Sequence, residues 1–303
     1  MPTVDVSHIS KSFGAVKAVD DCSFSIEKGE LFGLLGPNGA GKTTCLRVML
    51  DIFKPDAGSV AILGGPMDES KKDRIGYMPE DRGLYQEIPL DRCLNYLGSL
   101  KGLSKSEVKV RARDYLERFD LAEHRFKKVK ELSKGMQQKA QIIATLLHQP
   151  ELLIVDEPFS GLDPVNTQMI KDLLREQRDR GVTIILCSHQ MHLVEELCDR
   201  IVLIDHGKVM LYGELEEVRK RYAANALLVR SEKELPDLSM LPGVESVEPH
   251  NSAVKLHLKA GAAPQEVLKA LVAKDIPLSQ FEIAMPTLDE IFIRVVQGEG
   301  VEA

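Results

Sequence analysis

Residues 36–44 read GPNGAGKTT, and few short segments restrict a chain so strongly. Three glycines fall within the six positions 36–41, so the backbone there can take left-handed conformations closed to other residues. The apolar run LFGLLG (31–36) leads in, and the helix-prone CLRVML (45–50) leads out. A strand, a glycine-rich turn and a helix in that order aim successive N–H groups at an anion, and the helix dipole adds to the attraction. Gly36 to Thr43 satisfies G-x-x-x-x-G-K-[ST] in the context that motif requires. Lys42 is expected to reach the β- and γ-phosphates of a nucleotide and the Thr43 hydroxyl to hold Mg²⁺. Pro37, Asn38, Gly39, Ala40, Gly41 and Thr44 complete the phosphate loop.

A second element fits the first. In LLIVDEP (152–158) four apolar residues form a buried strand, with Asp156 and Glu157 at its carboxyl end. Ligands bind at that end of an α/β sheet. Asp156 is expected to hold Mg²⁺ through water, and Glu157 to polarise an attacking water.

The wider pattern is α/β. Continuous apolar strands alternate with amphipathic helices in VTIILCSH, HLVEELCDR and PVNTQMIKDLLREQRDRG, as in a parallel sheet covered on both faces. VDVSHISKSF and VDDCSFSIEKGE alternate as antiparallel strands do, and IVLIDHGKVMLYG reads as a strand pair. The charged stretch from 86 has helical periodicity in SEVKVRARDYLERFDL and is expected to be a helical insertion, about 86–145. After ELEEVRKRYAAN the pattern resets. ALLVRS, VESVEPH, AVKLHLKA and FEIAMP read as strands, PQEVLKALVAKD and TLDEIFIRVVQ as helices. The expected division is a nucleotide-binding domain over 1–222 and a small α+β domain over 225–303, in which His250 and His257 lack metal-ligand spacing.

Composition narrows the partners. Lys and Arg number 39 against 46 Asp and Glu, a net charge of −7, which disfavours nucleic acid held by bulk positive charge. Five cysteines form no CxxC pair and read as reduced thiols. MPTVDVSHIS has no signal-peptide character, and no apolar run approaches the ~18–20 residues that cross a bilayer. Any membrane part is expected on another chain.

The stretch ELSKGMQQKAQ (131–141) places a serine and a glycine before a second helical run. Alone it is an ordinary serine cap. With the phosphate loop and LLIVDEP upstream and downstream, residues 1–220 resemble the nucleotide-binding subunit of ABC transporters. Leu132-Ser133-Lys134-Gly135-Met136 is similar to the family's signature, usually LSGGQ. The resemblance implies a P-loop NTPase core with an antiparallel β subdomain and an ATPase that takes ATP and Mg²⁺. It further implies that Ser133 and Gly135 close over ATP held by a second subunit, a homodimer partner or a paralogue, arranged head to tail. SGLDP is similar to the D-loop, with Asp163 at the seam. His189 in LCSHQ is similar to the switch histidine that contacts the γ-phosphate. Phe13 stands where the family's adenine-stacking aromatic stands, though it can equally be core.

Two departures stand out. Lys134 and Met136 replace glycine and glutamine of the signature. Glu80 in IGYMPEDRGLY replaces the glutamine that reaches the metal and the attacking water, in the loop that touches the membrane subunit. A glutamate oxygen can still ligate Mg²⁺. MPEDRGLY and the C-terminal domain resemble the branch paired with ABC-2 type membrane exporters, which includes sodium and antibiotic exporters. The resemblance therefore implies an integral membrane permease as partner and a peripheral position on the cytoplasmic face of the membrane. A soluble ABC ATPase working on ribosomes or DNA is the alternative; the single cassette and the lack of a coiled coil count against it. A GTPase would carry an NKxD motif, and none is present.

Overall fold

The computed structural model describes residues 2–81, 83–223, 225–233, 235–250, 253–259 and 261–297. Two compact units divide the chain, Met1–Leu215 and Glu216–Ala303.

In the first unit two sheets share one core. Strands β1 (Val4–Phe13), β2 (Val16–Ile26) and β4 (Ala57–Ile62) form an antiparallel sheet in the order β2-β1-β4. The second sheet contains β3 (Leu31–Leu35), β5 (Ile75–Met78), β6 (Leu152–Asp156), β7 (Thr183–Ser188), β8 (Arg200–Asp205) and β9 (Lys208–Glu214). Its order is β5-β6-β7-β3-β8-β9; the first five strands are parallel, and β9 returns antiparallel to β8. Every residue of β3, β6 and β7 is buried, which is why these strands read as unbroken apolar runs rather than alternating ones. Helix α1 (Lys42–Met49) packs into this core, and α2 (Glu69–Lys72), α6 (Pro164–Asp179) and α7 (Met191–Leu197) follow β4, β6 and β7 along the chain. Leu34, Leu46, Ile154 and Ile185 belong to one fully buried cluster, and each such side chain contributes about 1.5–3 kcal/mol.

The register places the site. Leu35 pairs with Ser188, and Asp156 with Cys187. Strands β6, β7 and β3 are neighbours, so their carboxyl ends finish side by side. The loops that follow (Glu157 onward, His189 onward and Gly36 onward) therefore open on the same edge.

The helical insertion comprises α3 (Leu90–Leu100), α4 (Lys105–Arg118) and α5 (Lys134–Leu146). Ser104 and Glu107 form a reciprocal capping box that starts α4. Its two legs are zipped together by backbone bonds, Val129 N–H to Ile88 O at 3.1 Å and Lys130 N–H to Gln86 O at 3.1 Å.

The second unit begins within α8 (Leu215–Tyr222), a few residues before the point where the sequence pattern resets. The reason is contact: Arg219 Nε donates to Pro286 O at 3.1 Å and Arg294 donates to Tyr222 O at 3.0 Å. Strands β10 (Ala226–Ser231), β11 (Val244–His250), β12 (Ala253–Leu258) and β13 (Leu278–Ile283) form an antiparallel sheet in the order β11-β12-β10-β13. Helix α9 (Pro264–Ala273) lies between β12 and β13 in sequence, and α10 (Leu288–Val296) closes the unit. Leu227, Val229, Leu256, Val267 and Leu271 form its own buried core. His257 pairs across the strands with Glu248 at 3.1 Å, an exposed contact rather than a metal site.

Among the described residues no helix is long and apolar enough to cross a membrane. All five cysteines are buried and unpaired.

Candidate nucleotide site

The phosphate loop leaves β3 at Gly36, with φ +149°, and enters α1 after Gly41, with φ +106°. Neither position admits a side chain. A Cβ on Gly36 would lie 2.1 Å from the Ile204 carbonyl oxygen, and one on Gly41 2.2 Å from the Ala18 carbonyl oxygen. The bare backbone lets the loop curl tightly between β2 and β8, which turns its amides inward. The Lys42 ammonium folds back across this curl and donates to Gly36 O at 2.8 Å and Pro37 O at 3.1 Å. It is thereby held over the anion-binding face although the side chain is almost wholly buried.

At the next strand end, Thr43 Oγ1 donates to Asp156 Oδ2 at 3.2 Å. Burial pushes the Asp156 carboxyl up; bonds from Cys187 and Thr43 and the charge of Lys42 pull it back, while Glu157 pushes the same way as burial. A hydroxyl beside a carboxylate is an oxygen donor set for a hard cation whose remaining ligands are phosphate oxygens and water. Among the described residues no group of three or more His, Cys, Asp or Glu side chains forms a self-sufficient metal cage. Thr43 and Asp156 thus fit a Mg²⁺ that arrives with a nucleotide better than a resident ion.

Glu157 adopts a left-handed backbone, φ +51°, unusual for a glutamate. Its amide donates to Cys187 O at 2.9 Å, which fixes it to the neighbouring strand. Three donors hold its buried carboxylate: Ser188 Oγ at 3.1 Å, His189 N–H at 2.7 Å and His189 Nδ1 at 2.7 Å. With Glu157 ionised, Nδ1 carries the proton in that bond, and the half-exposed imidazole turns Nε2 away from the carboxylate.

These groups border one cleft of about 280 Å³, lined by Ala18, Asn38, Gly39, Ala40, Gly41, Lys42, Thr43, Thr44, Glu80, Asp156 and Glu157. A larger, shallower groove of about 640 Å³ lies over the start of α6, between Arg118 and Asp172. Neither the phosphate loop nor Asp156 nor Glu157 lines it, so the smaller cleft is the candidate site.

The structure thus brings the phosphate loop, Asp156, Glu157 and Glu80 together, with His189 attached through Glu157. Phe13, Ser133, Gly135 and Asp163 do not line the cleft. Phe13 is 46% exposed at the end of β1 and meets Phe53 edge-on at 5.3 Å. Ser133 caps α5, accepting from Met136 N–H at 3.2 Å. Asp163 caps α6, accepting from Asn166 N–H at 2.9 Å. A Cβ on Gly135 would lie 3.5 Å from Leu162 Cδ2, and Lys139 Nζ donates to Asn166 Oδ1 at 3.1 Å. The two caps therefore belong to one continuous surface.

Comparison with known proteins settles the kinship. Residues 19–160 match the family described as ABC transporter, and 213–296 match the family described as ATP-binding protein DrrA1-3-like, C-terminal domain. The chain is 40% identical over 296 residues to the uncharacterized ABC transporter ATP-binding protein YhaQ of Bacillus subtilis (strain 168), covering 98% of each. It belongs to the ABC transporter ATP-binding proteins. The linearmycin resistance ATP-binding protein LnrL of the same organism is 33% identical over 304 residues, 96% of this chain and 97% of that protein. A solved ATP-binding subunit of an ABC transporter superposes with a TM-score of 0.68 at 31% identity, over 73% of this chain and 93% of that one. The chain is accordingly an ABC ATPase, of a family that binds and hydrolyses ATP.

Sequence reasoning missed several contributors. Ala18 and Ser188 carry no motif, and their roles come from a backbone carbonyl and a strand end. Gln138 and Gln141 reach the loops that carry Glu157 and Glu80 from α5; their spacing of three on a helix was the available signal.

Proposed function

We propose that the chain is the motor subunit of an ABC exporter, working as a head-to-tail pair in which each ATP lies between two chains. The observation that carries this reading is the division of the machinery within one chain. Lys42, Thr43, Asp156, Glu157 and Glu80 face the cleft, whereas Ser133, Gly135 and Asp163 build a separate surface at the capped N-termini of α5 and α6. An N-terminus with its serine cap suits a γ-phosphate, and only another chain's cleft can supply one. ATP then acts as the adhesive of the pair, and loss of the γ-phosphate releases it.

In the closed site Lys42 and the loop amides orient the triphosphate. Thr43 and Asp156 would hold Mg²⁺, with Glu80 within the same cleft; the ion would supply charge neutralisation on the phosphate oxygens. Glu157 takes the proton of the attacking water, and Phe13 stacks on adenine. His189 links the γ-phosphate to Glu157. The chain would act on the cytoplasmic face of a membrane through a separate permease, contacted by the Glu80 loop and the helical insertion. The name of LnrL, a resistance protein similar along almost the whole chain, supports the export direction.

Glu157→Gln tests this. The amide can still accept from both His189 donors, and Ser188 Oγ can accept from its NH₂, so the fold is retained. Loss of the base should slow phosphate release by about 10²–10⁴-fold. The variant should run as a dimer in size-exclusion chromatography with ATP and as a monomer with ADP. A variant that stays monomeric in saturating ATP would sink the shared-site reading.

A further inference from the structure

Helix α5 does more than present Ser133. Gln141, 4% exposed, projects from it into the loop that carries Glu80. Its Nε2 donates to Pro79 O at 2.7 Å and to Asp81 O at 3.3 Å, the carbonyls on either side of Glu80. Both amide protons are thus spent on one loop. One turn earlier, on the same face, buried Gln138 donates to Glu157 O and to Pro158 O, each at 3.1 Å. Two amides of one helix therefore hold the backbone at Glu157 and on either side of Glu80, two of the three acids that line the cleft.

The consequence is mechanical. Ser133 and Gln141 sit eight residues apart, about 12 Å along a rigid helix. If the Glu80 loop shifted while α5 stayed, the buried Gln141 amide would lose both of its acceptors. Moving the helix with the loop keeps all of them paired. We infer that Gln141 is a positioning residue that makes the Glu80 loop and the Ser133 end of α5 move as one body. Occupancy of a chain's own cleft then sets how that chain offers Ser133 to its neighbour, so the two ATP sites communicate. This rests on the two-chain reading above.

Gln141→Met keeps length and helix propensity but removes both donors, and Gln141→Leu removes them with a branched apolar side chain. Three quantities are measured for each: the affinity of a fluorescent ATP analogue for dilute monomer, the Hill coefficient of ATP hydrolysis, and, in the Glu157→Gln background, the ATP concentration that drives dimerisation. The expected result is unchanged monomer affinity, a Hill coefficient that falls towards one, and about 10-fold more ATP needed to dimerise. The inference is overturned if hydrolysis stays as cooperative as in the parent and dimerisation needs no more ATP. It is equally overturned if monomer affinity and melting temperature fall together while cooperativity persists, since that is plain loosening of the fold. Failure of Glu157→Gln itself to dimerise would count against the two-chain reading instead.

Discussion

Acid should loosen the ATPase unit through one imidazole. His148 follows α5 at the end remote from Ser133, and its Nε2 donates to Ile75 O at 3.1 Å. Its Nδ1 is buried without a partner. Burial drives the ring from the ordinary 6.5 down to about 4, and the ammonium of Lys101, which donates to the same carbonyl at 3.1 Å, pushes the same way. Arg111 adds to that push; the Ile75 bond and Asp73 oppose it. A base weakened by folding holds fewer protons in the native state than in the unfolded one. Stability is therefore full above about pH 6.5 and is lost as pH falls towards 4. The interval corresponds to at most about 3 kcal/mol, and to about 1–2 kcal/mol at pH 5 once partial hydration of the ring is allowed for. His148→Phe removes the titration, so its urea unfolding should be less sensitive to acid than that of the parent by that amount. All five cysteines lie buried between positions 22 and 198, so their release to an acid-tolerant pyridyl disulfide reports on this unit alone. Equal losses of stability in parent and variant between about pH 7.5 and pH 5 would refute the assignment.

The glycines of the phosphate loop should differ in tolerance. Gly41→Ala meets the Ala18 carbonyl at 2.2 Å at a φ of +106°, and a Cβ on Gly39 meets nothing within 4 Å. ATP affinity should fall about 100-fold or more for the first and about 10-fold for the second by nucleotide titration; equal losses would contradict the packing argument. Phe13→Ala should weaken ATP by about 5–100-fold while leaving tripolyphosphate affinity unchanged. If ATP binding is unaffected, Phe13 serves only to pack on Phe53.

The fold was legible where physics leaves a local mark. β3, β6 and β7 are buried on both faces, so their apolar runs announced a parallel sheet. The phosphate loop announced itself because the close approaches at Gly36 and Gly41 exclude any other residue. The serine before α5 could be read as a cap, and is one. What stayed hidden depends on the third dimension. The left-handed backbone of Glu157 has no sequence signature, and its three donors come from residues whose nearness follows from strand register. Gln138 and Gln141 look like solvated helix residues until the loops they hold are in place. The end of the first unit was also blurred, because α8 is highly charged yet is tied to the second unit by Arg219 and Arg294.

The sling of Ser188 and His189 around Glu157 has one more implication. A carboxylate already served by three internal donors is a poor host for a stray water, which must compete for what remains of its lone pairs. On the two-chain reading proposed above, a solitary chain is thus disinclined to burn fuel, and drawing the His189 imidazole away would free the acid. Restraint would then be a property of the sling itself.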